Sequence, residues 1–130
     1  MIKEQIAAVI KERIRICEET DDNWDYGIEQ CWKKIVAIFT VDIDKSINYF
    51  LNESTDEEFY WLSETFEEIA EQTKKKAFIG AWRSRLAKVT PEAYRQQNFK
   101  SEHMKKWIDY ATYIKRVRTC IEFAEDRIKE

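Results

Sequence analysis

The chain has 130 residues, 44% of them apolar and 36% charged, with a formal net charge of −3. That is length enough for one domain with a buried core, and too hydrophobic a composition for a disordered tail. Charge is unevenly spread. Residues 1–71 hold 18 Asp and Glu against 7 Lys and Arg, a balance of −11, and residues 72–130 hold 7 against 15, a balance of +8. A one-sign surface steers association with an oppositely charged partner, so the asymmetry points to binding.

Two glycines and one proline leave few places for tight turns, which suits helices joined by short connections. The expected fold is all-α, one domain over residues 1–130, a bundle of about five to seven helices. Cys17, Cys31 and Cys120 are odd in number and lack paired metal-ligand spacing; three reduced thiols in a cytoplasmic protein are expected. The first 16 residues interleave charged and apolar side chains, unlike a signal peptide. No stretch approaches the ~18 apolar residues of a membrane helix.

Along the chain, Ile2, Ile6, Val9, Ile10, Ile14 and Cys17 recur at steps of three and four, the stripe of an amphipathic helix. Residues 18–26 are polar and acidic, and Gly27 marks a break before the stripe Ile28, Cys31, Trp32, Ile35, Ile38 and Phe39. Asn23 or Asp25 is expected to cap that second helix, with Trp24 presented among its acidic neighbours. Asp21, Asn23 and Asp25 begin like a calcium loop, but the sixth position is Tyr26 and the twelfth Trp32, so no metal is expected. An interruption at residues 40–42 precedes a short helix with Ile43, Ile47, Phe50 and Leu51.

Thr55 and Glu58 have the spacing of a capping box, opening a helix to residue 72 whose core face is Phe59, Leu62, Phe66, Ile69 and Ala70. At 100° per residue, Tyr60, Glu64, Glu67 and Glu71 fall on the opposite side, with Glu57 and Glu68 alongside and Trp61 at the margin. No lysine one turn away balances these carboxylates, and aromatics are enriched at binding hot spots. Tyr60 is therefore expected to be exposed in an acidic binding face. A further helix carries Phe78, Ile79, Trp82, Leu86 and Val89, and Pro91 restarts the chain. The last stripe, Met104, Trp107, Ile108, Ala111, Ile114, Val117, Ile121, Ala124 and Ile128, reads as one long helix.

Chemistry finds little footing. His103 is the only histidine, and there is no glycine-rich phosphate loop, His-paired nucleophile or ligand cluster, so neither enzyme activity nor a cofactor is expected. Lys74 to Lys76, Arg83, Arg85, Lys88, Lys105, Lys106, Lys115, Arg116 and Arg118, with interleaved aromatics, leave a second reading: a nucleic-acid-binding regulator. Association of acidic with basic halves between copies is a third.

Residues 50–69, from Phe50-Leu51-Asn52 through Thr55-Asp56-Glu57-Glu58-Phe59-Tyr60-Trp61-Leu62-Ser63-Glu64-Thr65-Phe66-Glu67-Glu68-Ile69, resemble a group of small helical immunity proteins of bacterial contact-dependent inhibition and related polymorphic toxin systems. The likeness reaches back through Asp21-Asp22 and the Trp32 helix and forward to Phe78-Ile79. It implies a cytoplasmic protein that binds a cognate toxin domain, often a nuclease, without catalysis. A nuclease cleft is basic because it attracts phosphates, so an acidic face can occupy it, over an interface on the order of 1,600 Å². On this resemblance Tyr60 and Trp61 anchor the toxin and Trp24 also contacts it, while Asp22, Asp25, Glu57, Glu64, Glu67 and Glu68 complement its charge. Binding away from the toxin's active site is equally allowed.

Overall fold

The first apolar stripe folds as expected into α1 (Ile2–Thr20), and α2 (Asp25–Phe39) packs back along it. The computed structural model describes residues 1–129. Thr40 ends α2, its hydroxyl donating to the Val36 carbonyl at 2.9 Å. Asp42 then caps α3 (Ile43–Asn48) by accepting the Lys45 N–H. The chain continues without a break into a π-helical stretch, Tyr49–Glu53. Its wider turn seats two adjacent aromatics, Tyr49 and Phe50, wholly in the core.

The expected capping box is present: Thr55 accepts the Glu58 N–H at 3.0 Å, and the Glu58 carboxylate accepts the Thr55 N–H at 3.1 Å. The helix it opens does not run to residue 72 in one piece. α4 (Asp56–Leu62) gives way to a 3₁₀ turn, Ser63–Thr65, before α5 (Phe66–Thr73). The Ser63 and Thr65 hydroxyls donate to the Tyr60 and Leu62 carbonyls, 2.6 and 2.7 Å away. Such back-bonding competes with the helical ladder and bends it.

α6 (Lys76–Ala87) follows, then α7 (Pro91–Arg95), with Thr90 as cap and Pro91 in its first turn. The last stripe is split as well. α8 (Glu102–Trp107) stops at Ile108, which leaves helical geometry, and α9 (Tyr110–Lys129) restarts as Asp109 accepts the Thr112 N–H at 2.8 Å. The Ile108 carbonyl, freed by the break, accepts the Tyr94 hydroxyl at 2.6 Å. An even stripe of apolar residues carries no mark of either break, because both are set by short polar side chains and distant partners.

α9 lies along α5 and α6, and the core is aromatic. Phe50 touches the rings of Phe39, Phe59, Phe66, Phe78 and Trp82, and Phe66 stacks on Trp82 at 3.9 Å. One apolar cluster draws members from α1 through α9, so the chain forms a single all-α unit. Among the described residues no helix is long and apolar enough to cross a membrane.

Candidate protein-binding face

The turn between α1 and α2 is short and held from several sides. Asp21 and Asp22 both adopt left-handed backbone, with φ of 52° and 60°. Two such residues in succession cost about 1–3 kcal/mol each, although Asp tolerates this region better than most. Arg13 supplies much of the compensation. Its guanidinium reaches Asp22 at 2.7 Å and Glu64 at 2.9 Å, and it stands 4.9 Å over the Trp61 ring. Burial works against the Arg13 charge, but the hydrogen bonds it donates to Glu64 and Asp22 outweigh this and raise its pKa above the ordinary range. The Glu18 carboxylate accepts the Glu102 N–H at 2.6 Å and ties the end of α1 to the start of α8.

Beyond this anchorage the chain turns out to solvent. Trp24 and Tyr26 are 44% and 64% exposed, with ring centres 6.3 Å apart. Trp24 occupies the N-cap position of α2 without a side-chain cap, so neither Asn23 nor Asp25 takes the capping role expected of it. Gly27 lies inside α2 instead of marking a break. Its role is spatial: a Cβ there would fall 2.2 Å from the Trp24 ring, so the bare backbone is what lets the indole lie down on the helix. Trp107, expected within the core stripe, is 71% exposed because α8 ends there. It lines a depression of about 410 Å³ with Cys17, Glu18, Asp21, Asp22, Glu102, His103 and Lys106. The result is a face of exposed rings set among carboxylates, with Asp25 also exposed at the start of α2.

The Tyr60 segment behaves differently from its helical wheel. Tyr60 is 8% exposed and Trp61 2%, so neither is an exposed anchor. The Tyr60 hydroxyl accepts a hydrogen bond from Arg116 at 3.0 Å, and its ring lies 5.6 Å from Tyr113 of α9. Burial pushes the Tyr60 hydroxyl pKa up, against the pull of Arg116. The bend at residues 63–65 carries the chain off the ideal wheel, and α9 covers the side taken for a surface. Tyr60 and Trp61 instead line a groove of about 710 Å³, shared with Asp22, Glu64, His103 and Arg116. The Trp61 indole N–H has no acceptor, a property it shares with Trp82 in the core.

The carboxylates counted on that wheel are spoken for. Glu57 is 9% exposed, and its oxygens accept the Lys100 and Ser101 N–H groups at 3.0 and 2.8 Å, fixing the approach to α8. Glu64 belongs to Arg13, Glu67 pairs with Arg127 at 3.2 Å, and Glu68 accepts from Gln72 at 2.8 Å. Asp56 pairs with Arg85 at 2.6 Å in the interior. The missing balance of positive charge on this segment comes from α1, α6 and α9, not from lysines one turn away. Of the residues expected to bind, Asp22, Trp61, Tyr60 and Glu64 gather around the groove, Trp24 and Asp25 stand at the turn, and Glu57, Glu67 and Glu68 serve contacts within the fold. Several cations of the basic half are likewise engaged, Arg83 with Glu125 at 2.9 Å and Lys74 with the Arg127 carbonyl.

Two residues central to this face carry weak signals in the sequence. Arg13 sits at a core step, between Ile10 and Cys17 on the stripe, where a charged residue implies a buried partner. Trp107 is followed by Asp109 three residues ahead of Thr112, the spacing of a helix cap. Among the described residues no group of three or more His, Cys, Asp or Glu is arranged to hold a metal ion. No protein-family model, curated protein or solved structure matches the chain.

Proposed function

We infer that the protein is an immunity protein, which binds a cognate bacterial toxin domain and neutralises it without catalysis, and that the toxin domain is a nuclease. The observation that carries this reading is the α1–α2 turn: Trp24 and Tyr26 stand in solvent next to Asp25, and the exposed Trp107 lines a depression with Glu18, Asp21 and Asp22 of the same turn. Large exposed rings cost a monomer solubility and pay back at an interface, where Trp and Tyr dominate binding energy. The surrounding carboxylates suit a surface built to attract phosphates. Rigid anchorage by Arg13 lowers the entropy lost on binding. The interface on this reading is centred on the turn, with the acidic segment after Thr55 supporting it from behind.

The test is co-expression of the tagged protein with the product of whichever gene lies next to its own. A stoichiometric complex that restores growth, lost on Trp24→Ala with Tyr26→Ala, is the expected result. Recovery of nucleic acid in place of a protein partner would move the assignment to the basic half. Sedimentation of the protein alone as an oligomer that salt dissociates would favour association between copies.

A further inference from the structure

We propose that the groove between α4, α8 and α9 receives an acidic segment of the protein partner, so that the partner's contact surface is bipolar: basic against the α1–α2 turn and acidic where it enters the groove. The identity of the partner rests on the immunity reading, whereas the chemistry of the groove does not. Residues 110–121 of α9 contain Lys115, Arg116 and Arg118 and no acidic residue. Lys115 and Arg116 line the groove, both exposed, and among the described residues neither has a carboxylate within ion-pair distance. Among the described residues the one polar contact of Arg116 is the donation from its Nη1 to the Tyr60 hydroxyl, which orients the guanidinium at the groove wall and leaves its other N–H donors without an acceptor there. Thr112, Lys115, Arg116 and Thr119 follow the spacing i, i+3, i+4, i+7, so one side of α9 faces the groove.

The opposite wall offsets these cations only in part, because Glu64 and Asp22 share Arg13 and leave one net negative charge there against the two positive charges of Lys115 and Arg116. It does decide which anion fits. A nucleic-acid backbone laid along the groove would bring successive phosphates against Asp22, Glu64 and the neighbouring Asp21. A short run of Asp or Glu places its charge at Lys115 and Arg116 alone, its methylenes over the Tyr60 and Trp61 floor. Asp22 and His103 line both this groove and the depression beside Trp107, so the two sites are continuous and one partner spans them. A metal-dependent nuclease has the matching pattern, carboxylates for its metal set within a basic cleft.

The experiment uses the full chain and a fluorescein-labelled synthetic peptide with three glutamates between two pairs of lysines, followed by anisotropy. Binding is expected to be at least about tenfold tighter than for the peptide with glutamines in place of the glutamates. It is expected to fall by about tenfold on Lys115→Glu with Arg116→Glu, and to fall in part on Lys115→Glu alone, which leaves the Arg116–Tyr60 hydrogen bond in place. Equal binding of the glutamate and glutamine peptides overturns the proposal, and so does equal binding by the charge-reversed variant. Tighter binding of oligothymidylate, lost on the same reversal, also overturns it, in favour of nucleic acid. Failure of growth rescue with the peptide result intact would remove the toxin and leave the groove assignment standing.

Discussion

The turn between α1 and α2 and the broken helix pair α4–α5 draw on the same residue types, Asp and Glu around Trp and Tyr. The turn leaves its rings in solvent, and the helix pair buries them under α9. Composition alone does not separate an interface from a core edge. What separates them is whether a distant element arrives with matching charge: Arg13 meets Glu64, Arg85 meets Asp56 and Arg127 meets Glu67, while the Trp24 ring meets Tyr26 and Gly27 of its own segment.

The sharpest way to break this comparison is to truncate one tryptophan in each region. Trp61→Ala is expected to cost about 3–5 kcal/mol of stability, the usual penalty for emptying a large aromatic site. Trp24→Ala should stay within about 0.5–1 kcal/mol. Urea unfolding measures both, and equal costs would erase the distinction. Next in size, Arg13→Met should cost about 2 kcal/mol, by leaving Asp22 and Glu64 without their shared donor while still able to rehydrate.

That variant has a second readout at Cys17, which is buried near the same turn. Its thiol is pushed up to about 11, first by burial and then by the charge of Asp22. With an unfolded value near 8.5, the protonated thiol adds stability that is complete below that pH and lost as pH rises toward 11. At pH 8 alkylation of Cys17 should be slow in the native protein; Arg13→Met removes a charge that favours the thiolate, so faster labelling of that variant, read by mass spectrometry of iodoacetamide adducts, would report opening of the turn. Rapid native labelling would mean that the turn is not held as described.

Smaller effects test the partner face. On the immunity reading proposed above, Trp24→Ala or Tyr26→Ala should weaken toxin binding by about 2 kcal/mol or more, while Glu68→Lys should change it by less than about 0.5 kcal/mol. Calorimetric titration against the toxin domain measures both, and the reverse ranking would return the interface to the α4–α5 side. Smallest in stability is Gly27→Ala. The gain in helix propensity, about 1 kcal/mol, is set against displacement of the Trp24 ring, so unfolding should shift little while toxin affinity falls. Unchanged affinity would show that the Trp24 pose is immaterial.

Much of the fold is legible in the residues because helical periodicity and capping are local. The Thr55–Glu58 box, the interruption after Phe39 and the restart at Pro91 each depend on groups within four residues. The break at residues 63–65 was hidden and the one at Ile108 marked only by the Asp109–Thr112 cap spacing, since a stripe with the right spacing continues through both. The site was half legible. Trp24, Asp22 and Asp25 lie in a segment too polar to enter the core, which sequence can report. Tyr60 and Trp61 stand in a run of four large apolar residues, Phe59 to Leu62, and such a run is commonly buried on every side; a wheel that placed one of them in solvent gave too little weight to that.

The sequence by itself determined the all-α class, most of the helix starts and the split of charge along the chain. These follow from backbone hydrogen bonding and side-chain spacing over a few residues. Only the tertiary structure decided which charges remain free and which rings remain exposed. Ion pairs such as Arg13 with Glu64 join residues 51 positions apart, and the strength of a charge depends on what the fold brings within a few ångströms of it.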